Sequence, residues 1–155
     1  MKQLIRFSLL LLALLLPTTA YAYDFEVDGI YYNYYYTDAW TATEVYVTSG
    51  TNGSYSGSIT IPKTVTYNGK TYSVIAIGNS AFKNRTGLTS INIPNTVTSI
   101  GESAFYYCSQ LTSVNIGNSV TTIGEFAFAH CKELTSVNIP NSVTTIGNWA
   151  FNECI

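Results

Sequence analysis

Charge is scarce in this sequence. Seven Lys/Arg and nine Asp/Glu among 155 residues leave a formal net charge of −2, and the basic residues Lys63, Lys70, Lys83, Arg85 and Lys132 stand apart from one another. A surface that tracks phosphates needs basic clusters, so nucleic acid is excluded as a partner. Histidine is nearly missing, with His130 alone. It comes without a placed carboxylate and reads as a solvated residue at a permissive position, so no activated nucleophile can be assembled around it. Glycines fall singly and form no phosphate-cradling loop. The three cysteines make no close pair, and a zinc site wants one. No catalytic residue, metal site or cofactor is therefore assigned. Disorder is excluded too, because 46% of the residues are hydrophobic and the net charge is small.

Residues 1–22 have a composition of their own. Lys2 and Arg6 precede an apolar run of about ten residues, half the length that spans hydrocarbon, and a small-x-small pattern closes at Ala22. This predicts a secretory signal cleaved after Ala22, and a mature chain without a transmembrane segment.

The rest is dominated by a period of 23 residues. Leu88-Thr89-Ser90-Ile91-Asn92-Ile93-Pro94 returns as Leu111-Thr112-Ser113-Val114-Asn115-Ile116-Gly117 and as Leu134-Thr135-Ser136-Val137-Asn138-Ile139-Pro140. Ile77-Gly78 with Ala81-Phe82 returns at Ile100, Ile123 and Ile146 in strict register. The Leu-x-x-Val-x-Ile spacing gives a short strand, Val120-Thr121-Thr122-Ile123 a second extended piece, and the Ala-Phe segment a tight turn or one helical turn. About eight apolar side chains at roughly 1.5–3 kcal/mol each must offset the ordering of 23 residues at about 1–2 kcal/mol each, so a coil is stable only when stacked. Stacking predicts a β-rich solenoid of α/β type with a parallel strand ladder. Ile93, Ile116 and Ile139 would form one inward column, and Phe82, Phe105, Phe128 and Phe151 another.

The repeat Leu-Thr-Ser-Val-x-Ile-Pro-x-Ser-Val-Thr-x-Ile-Gly-x-x-Ala-Phe-x-x-Cys resembles the BspA-like leucine-rich repeat family of bacterial surface proteins, over residues 54–155. The resemblance implies a curved right-handed solenoid, export to the cell surface or medium, and adhesion to host proteins or other cells. It carries no catalytic motif.

Upstream, Ile59-Thr60-Ile61-Pro62 matches Ile91-Asn92-Ile93-Pro94 at an offset of 32, which is 23 plus nine. The extra residues fall within residues 65–72, where Asn68-Gly69 joins two alternating runs and predicts a β-hairpin. A second hairpin is expected over residues 25–32 and a strand over residues 44–48. Residues 23–53 would thus form an amino-terminal β cap on the solenoid of residues 54–155, covering an otherwise open sheet edge. No comparable lid follows the last coil. The expectation is a fragment of a longer array; otherwise a partner or another copy of the chain covers that coil.

Cys108, Cys131 and Cys154 share one repeat position and should stack inward, either as buried free thiols or, less readily for an odd number with parallel Cβ vectors, with one bridge. Ser90, Asn92, Ser113, Asn115, Ser136 and Asn138 should line the outer side of the strand ladder. They form either a polar binding strip or a set of inter-coil hydrogen bonds that hold register. Variation concentrates after each Ile-Gly: Ser80, Ser103, Phe126 and Trp149 share one position, and Asn84, Tyr107, His130 and Glu153 another. Nine of the thirteen tyrosines lie between residues 21 and 55, and Tyr34 and Tyr36 are candidates either for cap packing or for a ligand platform. The function expected is an exported, non-enzymatic module that binds an extracellular protein or glycan. The alternatives are a structural spacer within a larger surface protein and, remotely, a hydrolytic enzyme.

Overall fold

The computed structural model describes residues 23–35, 42–51 and 55–154; the export-signal reading of residues 1–22 lies outside them. The described chain is strand and turn throughout, and the Ala-Phe segments are runs of tight turns without helix.

The two hairpins form where Asx-Gly pairs allow positive φ. β1 (Phe25–Val27) pairs antiparallel with β2 (Ile30–Tyr34) across Asp28-Gly29, at φ 52° and 78°. β5 (Thr64–Tyr67) pairs antiparallel with β6 (Lys70–Ile77) across Asn68-Gly69, at φ 50° and 76°. Both are the left-handed turn geometry that fits the twist of paired strands.

β3 (Glu44–Val47) joins the first hairpin to the repeats, lying antiparallel to β2 and parallel to β6. From β6 the sheet continues in parallel through β8 (Ser99–Ile100), β10 (Thr122–Ile123) and β11 (Thr145–Ile146). The expected four-residue second extended piece is thus a two-residue strand in the three coils after the first. A second sheet runs β4 (Gly57–Thr60), β7 (Leu88–Asn92), β9 (Ser113–Asn115), all parallel. Both sheets are open. The 23-residue period is written in the hydrogen bonds, with Thr121 Oγ1 donating to Thr98 O and Thr144 Oγ1 to Thr121 O.

In the core, Phe82, Phe105 and Phe128 are fully buried. They stack nearly parallel at 4.9 Å from ring to ring, and Phe151 follows at 5.2 Å. Tyr55 extends the column at its other end, 4.4 Å from Phe82.

One expectation is not met. Residues 134–140 repeat the sequence of β7 and β9 yet form no strand, and Ile139 is half-buried where Ile93 and Ile116 are buried. This stretch has a described neighbour on one side only. A cavity of about 230 Å³ opens beside it, lined by Leu134, Val137, Phe151 and Cys154.

Candidate interaction surfaces

The face of the strand ladder is occupied with itself. Ser90 Oγ donates to Ser58 Oγ at 2.6 Å, and Asn115 Nδ2 donates to Asn92 Oδ1. Ser113 stands opposite Ser90 in the parallel register. Ser136 and Asn138 are exposed in the stretch that leaves the ladder. Ser90 and Asn115 thus bond the equivalent side chains of the preceding coil, as stacked amides and hydroxyls do on a pleated face.

The cysteine column holds free thiols, buried at Cys108 and Cys131 and half-buried at Cys154. Each S–H donates to a carbonyl of the preceding coil: Cys108 to Phe82 O at 3.1 Å, Cys131 to Phe105 O and Cys154 to Phe128 O, both at 3.3 Å. Burial pushes the Cys108 thiol up to about 12 and also raises Cys131 and Cys154. These are packing thiols rather than nucleophiles. Arg85, at the same position of the first repeat, turns toward the cap and donates through Nη2 to Gly50 O at 3.3 Å.

The tyrosines near the amino terminus divide. Tyr32 and Tyr55 are buried. Tyr34 is half-buried between Phe25 and Tyr72, at 5.3 and 5.4 Å. Tyr35 is exposed. Tyr36, with Trp40, lies outside the described residues. Two cavities of about 410 and 270 Å³ flank the Asp28-Gly29 turn and share Ile30 and Thr60.

The turn face carries the least expected geometry. Eight non-glycine residues there have left-handed backbone: Ser80, Ser103, Phe126 and Trp149 in one column (φ 53–59°), and Asn84, Tyr107, His130 and Glu153 in the other (φ 56–62°). In six of the eight the amide donates along the stack to the next coil. Ser103 N donates to Glu125 O, Phe126 N to Asn148 O, Tyr107 N to Ala129 O and His130 N to Asn152 O, at 2.8–3.0 Å. Of the side chains they carry, those of Tyr107 and Trp149 are exposed. Left-handed backbone costs a non-glycine residue about 1–2 kcal/mol, and for bulky side chains it is an outlier.

Those side chains meet. The His130 ring lies 5.1 Å from Tyr106 and 5.0 Å from Tyr107, and Tyr106 approaches Phe126 edge-on at 6.4 Å. His130 Nδ1 sits 2.9 Å from Glu153 Oε2, with the imidazole side chain only 21% exposed. This corrects the sequence reading of His130 as a solvated residue without a carboxylate, because the left-handed turn folds its ring onto the coil before and its nitrogen toward the coil after. Lys83 Nζ lies 5.2 Å from the Tyr106 ring centre. Tyr107 is 41% exposed and Trp149 63%. Tyr106 was not singled out by the repeat pattern, since its column reads Lys83, Tyr106, Ala129 and Asn152, and only the coil spacing brings it beside His130.

Among the described residues no group of three or more His, Cys, Asp or Glu side chains is placed to hold a metal ion, and no helix is long and apolar enough to cross a membrane.

Two open sheets joined by repeated turns and stacked at a fixed period define a leucine-rich repeat solenoid. A family model described as BspA type leucine-rich repeat region (6 copies) matches residues 75–155, and the chain belongs to that family. It is similar to a leucine-rich repeat protein from Bacteroides ovatus, at 38% identity and TM-score 0.73 over 85% of this chain and 33% of that one. It is also similar to one from Bacteroides capillosus, at 30% identity and TM-score 0.72 over 84% and 93%. A leucine-rich cell surface protein from Faecalibacterium prausnitzii matches at 35% identity and TM-score 0.68 over 83% and 34%. The chain thus spans about a third of the Bacteroides ovatus and Faecalibacterium proteins. No curated protein matches it. The likenesses place it among surface-protein-like leucine-rich repeat domains, a fold that typically serves protein interaction.

Proposed function

We propose that the chain is an exported, non-enzymatic interaction module that binds an extracellular protein or glycan at the cell exterior. The observation that carries this reading is the turn face. A repeat whose packing residues hardly change places its variable side chains at two left-handed positions per coil and, in the later coils, sets aromatics at several of them, Tyr107 and Trp149 being exposed. Similarity to a cell surface protein supports the location. The test is to display the mature chain on a non-adherent bacterium and score attachment to immobilised extracellular-matrix proteins and glycans. Attachment above the undisplayed control supports the reading; its absence across both panels removes it.

A second reading, a spacer within a longer surface protein, is favoured by the ladder face, whose Ser and Asn side chains bond one another. It predicts that display confers no attachment while removing the segment from the longer protein shortens its reach.

A further inference from the structure

We propose that the turn face binds cationic side chains, Arg or Lys, of a basic segment in a partner protein, and that Tyr107, Phe126 and Trp149 supply the ring faces while Glu125 and Glu153 supply the counter-charge. This rests on the interaction-module reading and names its ligand class and site.

Three observations converge on it. The first is backbone conformation. The fold accepts Asn at the position of Tyr107, as Asn84 shows, and Ser at that of Phe126 and Trp149, as Ser80 and Ser103 show, all with positive φ. A small polar residue therefore suffices for the turn, and the rings are not explained by folding.

The second is charge. The turn segments carry Glu102, Glu125 and Glu153 against Lys83 and Arg85. Lys83 is already committed to the Tyr106 ring, and Arg85 is turned to the cap carbonyl at Gly50. Lys132 and Glu133, past the cysteine column, offset each other. The exposed rings of Tyr107 and Trp149, with the half-buried ring of Phe126, thus stand in a local excess of carboxylate, with Glu125 next to Phe126 in sequence and Glu153 paired with His130. Aromatic faces attract cations through the ring quadrupole, and nearby carboxylates add to the same sign of field.

The third is that the face already performs this recognition within the chain. The Lys83 ammonium on Tyr106 lies within the distance at which cation–π attraction operates. Tyr107 and Trp149, more exposed and toward later coils, offer the same chemistry to a cation from outside.

The test uses the mature chain against a phage-displayed library of random heptapeptides at physiological ionic strength, with a panel of neutral and acidic glycans in parallel. The variant combines Tyr107→Asn, Phe126→Ser and Trp149→Ser, residues the repeat itself uses at these positions, and urea unfolding checks its stability; Trp149→Ser alone, at the most exposed site, serves if the combination unfolds. The expected result is enrichment of Arg- or Lys-bearing peptides whose affinity falls at least about tenfold in the variant, and falls with Glu125→Gln. Peptides without cationic residues, or peptides that bind the variant unchanged, overturn the proposal while leaving an interaction module in place. Glycan binding lost in the variant, with no peptide selected, overturns the ligand class only. A chain that binds neither library nor panel loses both readings.

Discussion

The ring of Tyr55 rests on Phe82 with centroids 4.4 Å apart, so the aromatic column of the repeats passes into the amino-terminal segment without a break. The Tyr55 hydroxyl also accepts from Tyr31 N at 3.0 Å and donates to Thr48 O at 2.9 Å. One side chain therefore ties the amino-terminal strands to the first coil by both stacking and hydrogen bonding.

Tyr55→Phe keeps the stack and orphans both backbone groups, which should cost about 1–3 kcal/mol. Tyr55→Ala removes the ring as well and should cost about 3–5 kcal/mol. Urea unfolding of the two variants separates the contributions. Equal losses would mean that the ring, and not its hydroxyl, is dispensable.

Gly124 is required by close approach. A Cβ there would stand 2.6 Å from Glu102 N and Gly101 C, backbone atoms of the preceding coil that cannot swing away. Gly124→Ala should destabilise by about 2–3 kcal/mol through overpacking. Gly87, where the nearest contact is the Ser56 Cβ at 3.4 Å, should tolerate Ala far better, and comparing their urea midpoints checks the coil spacing.

Ser103 pays for left-handed backbone with little side chain to show for it (φ 53°). Ser103→Gly should raise stability by about 1 kcal/mol. A fall in the urea midpoint would mean that the hydroxyl has a partner worth more than the backbone relief.

How the two hairpins and the period became readable from residues alone has a common cause. Asp28-Gly29 and Asn68-Gly69 tolerate positive φ intrinsically, so local chemistry and final structure agree. The inward Phe column follows because each coil meets the same neighbours at the same offset. The turn face was legible only as a place of variation. Tyr107 and Phe126 are poor left-handed residues, and in their coils an amide bond to the next coil accompanies that backbone, a tertiary effect with no local signature. The His130–Glu153 pair was hidden for the same reason. Tyr55 escaped notice as a fifth ring because it lies 27 residues before Phe82, matching neither the period of 23 nor the offset of 32 in the first repeat. The loss of strand at residues 134–140 depends on pairing, which an unchanged sequence cannot announce.

Alkaline pH should weaken the fold. Burial raises the Cys108 thiol to about 12 and raises Cys131 too, against an unfolded value near 9. Above that value the unfolded chain has released protons that the folded chain keeps, so unfolding becomes easier as pH rises. Their contribution is complete below pH ~9 and declines toward the folded value, by up to about 1.4 kcal/mol per pH unit for each thiol. Burial of Tyr32 and Tyr55 acts in the same direction above pH ~10. Urea midpoints from pH 8 to 11 should fall in wild type and fall less in Cys108→Ala measured against its own pH 8 value. Parallel curves would mean that this thiol ionises without opening the coil.

The bonds that join the coils run along the stack, from Phe105 N to Ala127 O and from Phe128 N to Ala150 O, both at 2.7 Å. Tension applied between the two ends of the array therefore loads the coil interfaces in series, and the weakest interface sets the yield force. Such an array does not snap. It sheds one coil at a time, each freeing about 75–80 Å of slack, and a stretched molecule of this build would dissipate a sudden pull in steps before its ends part.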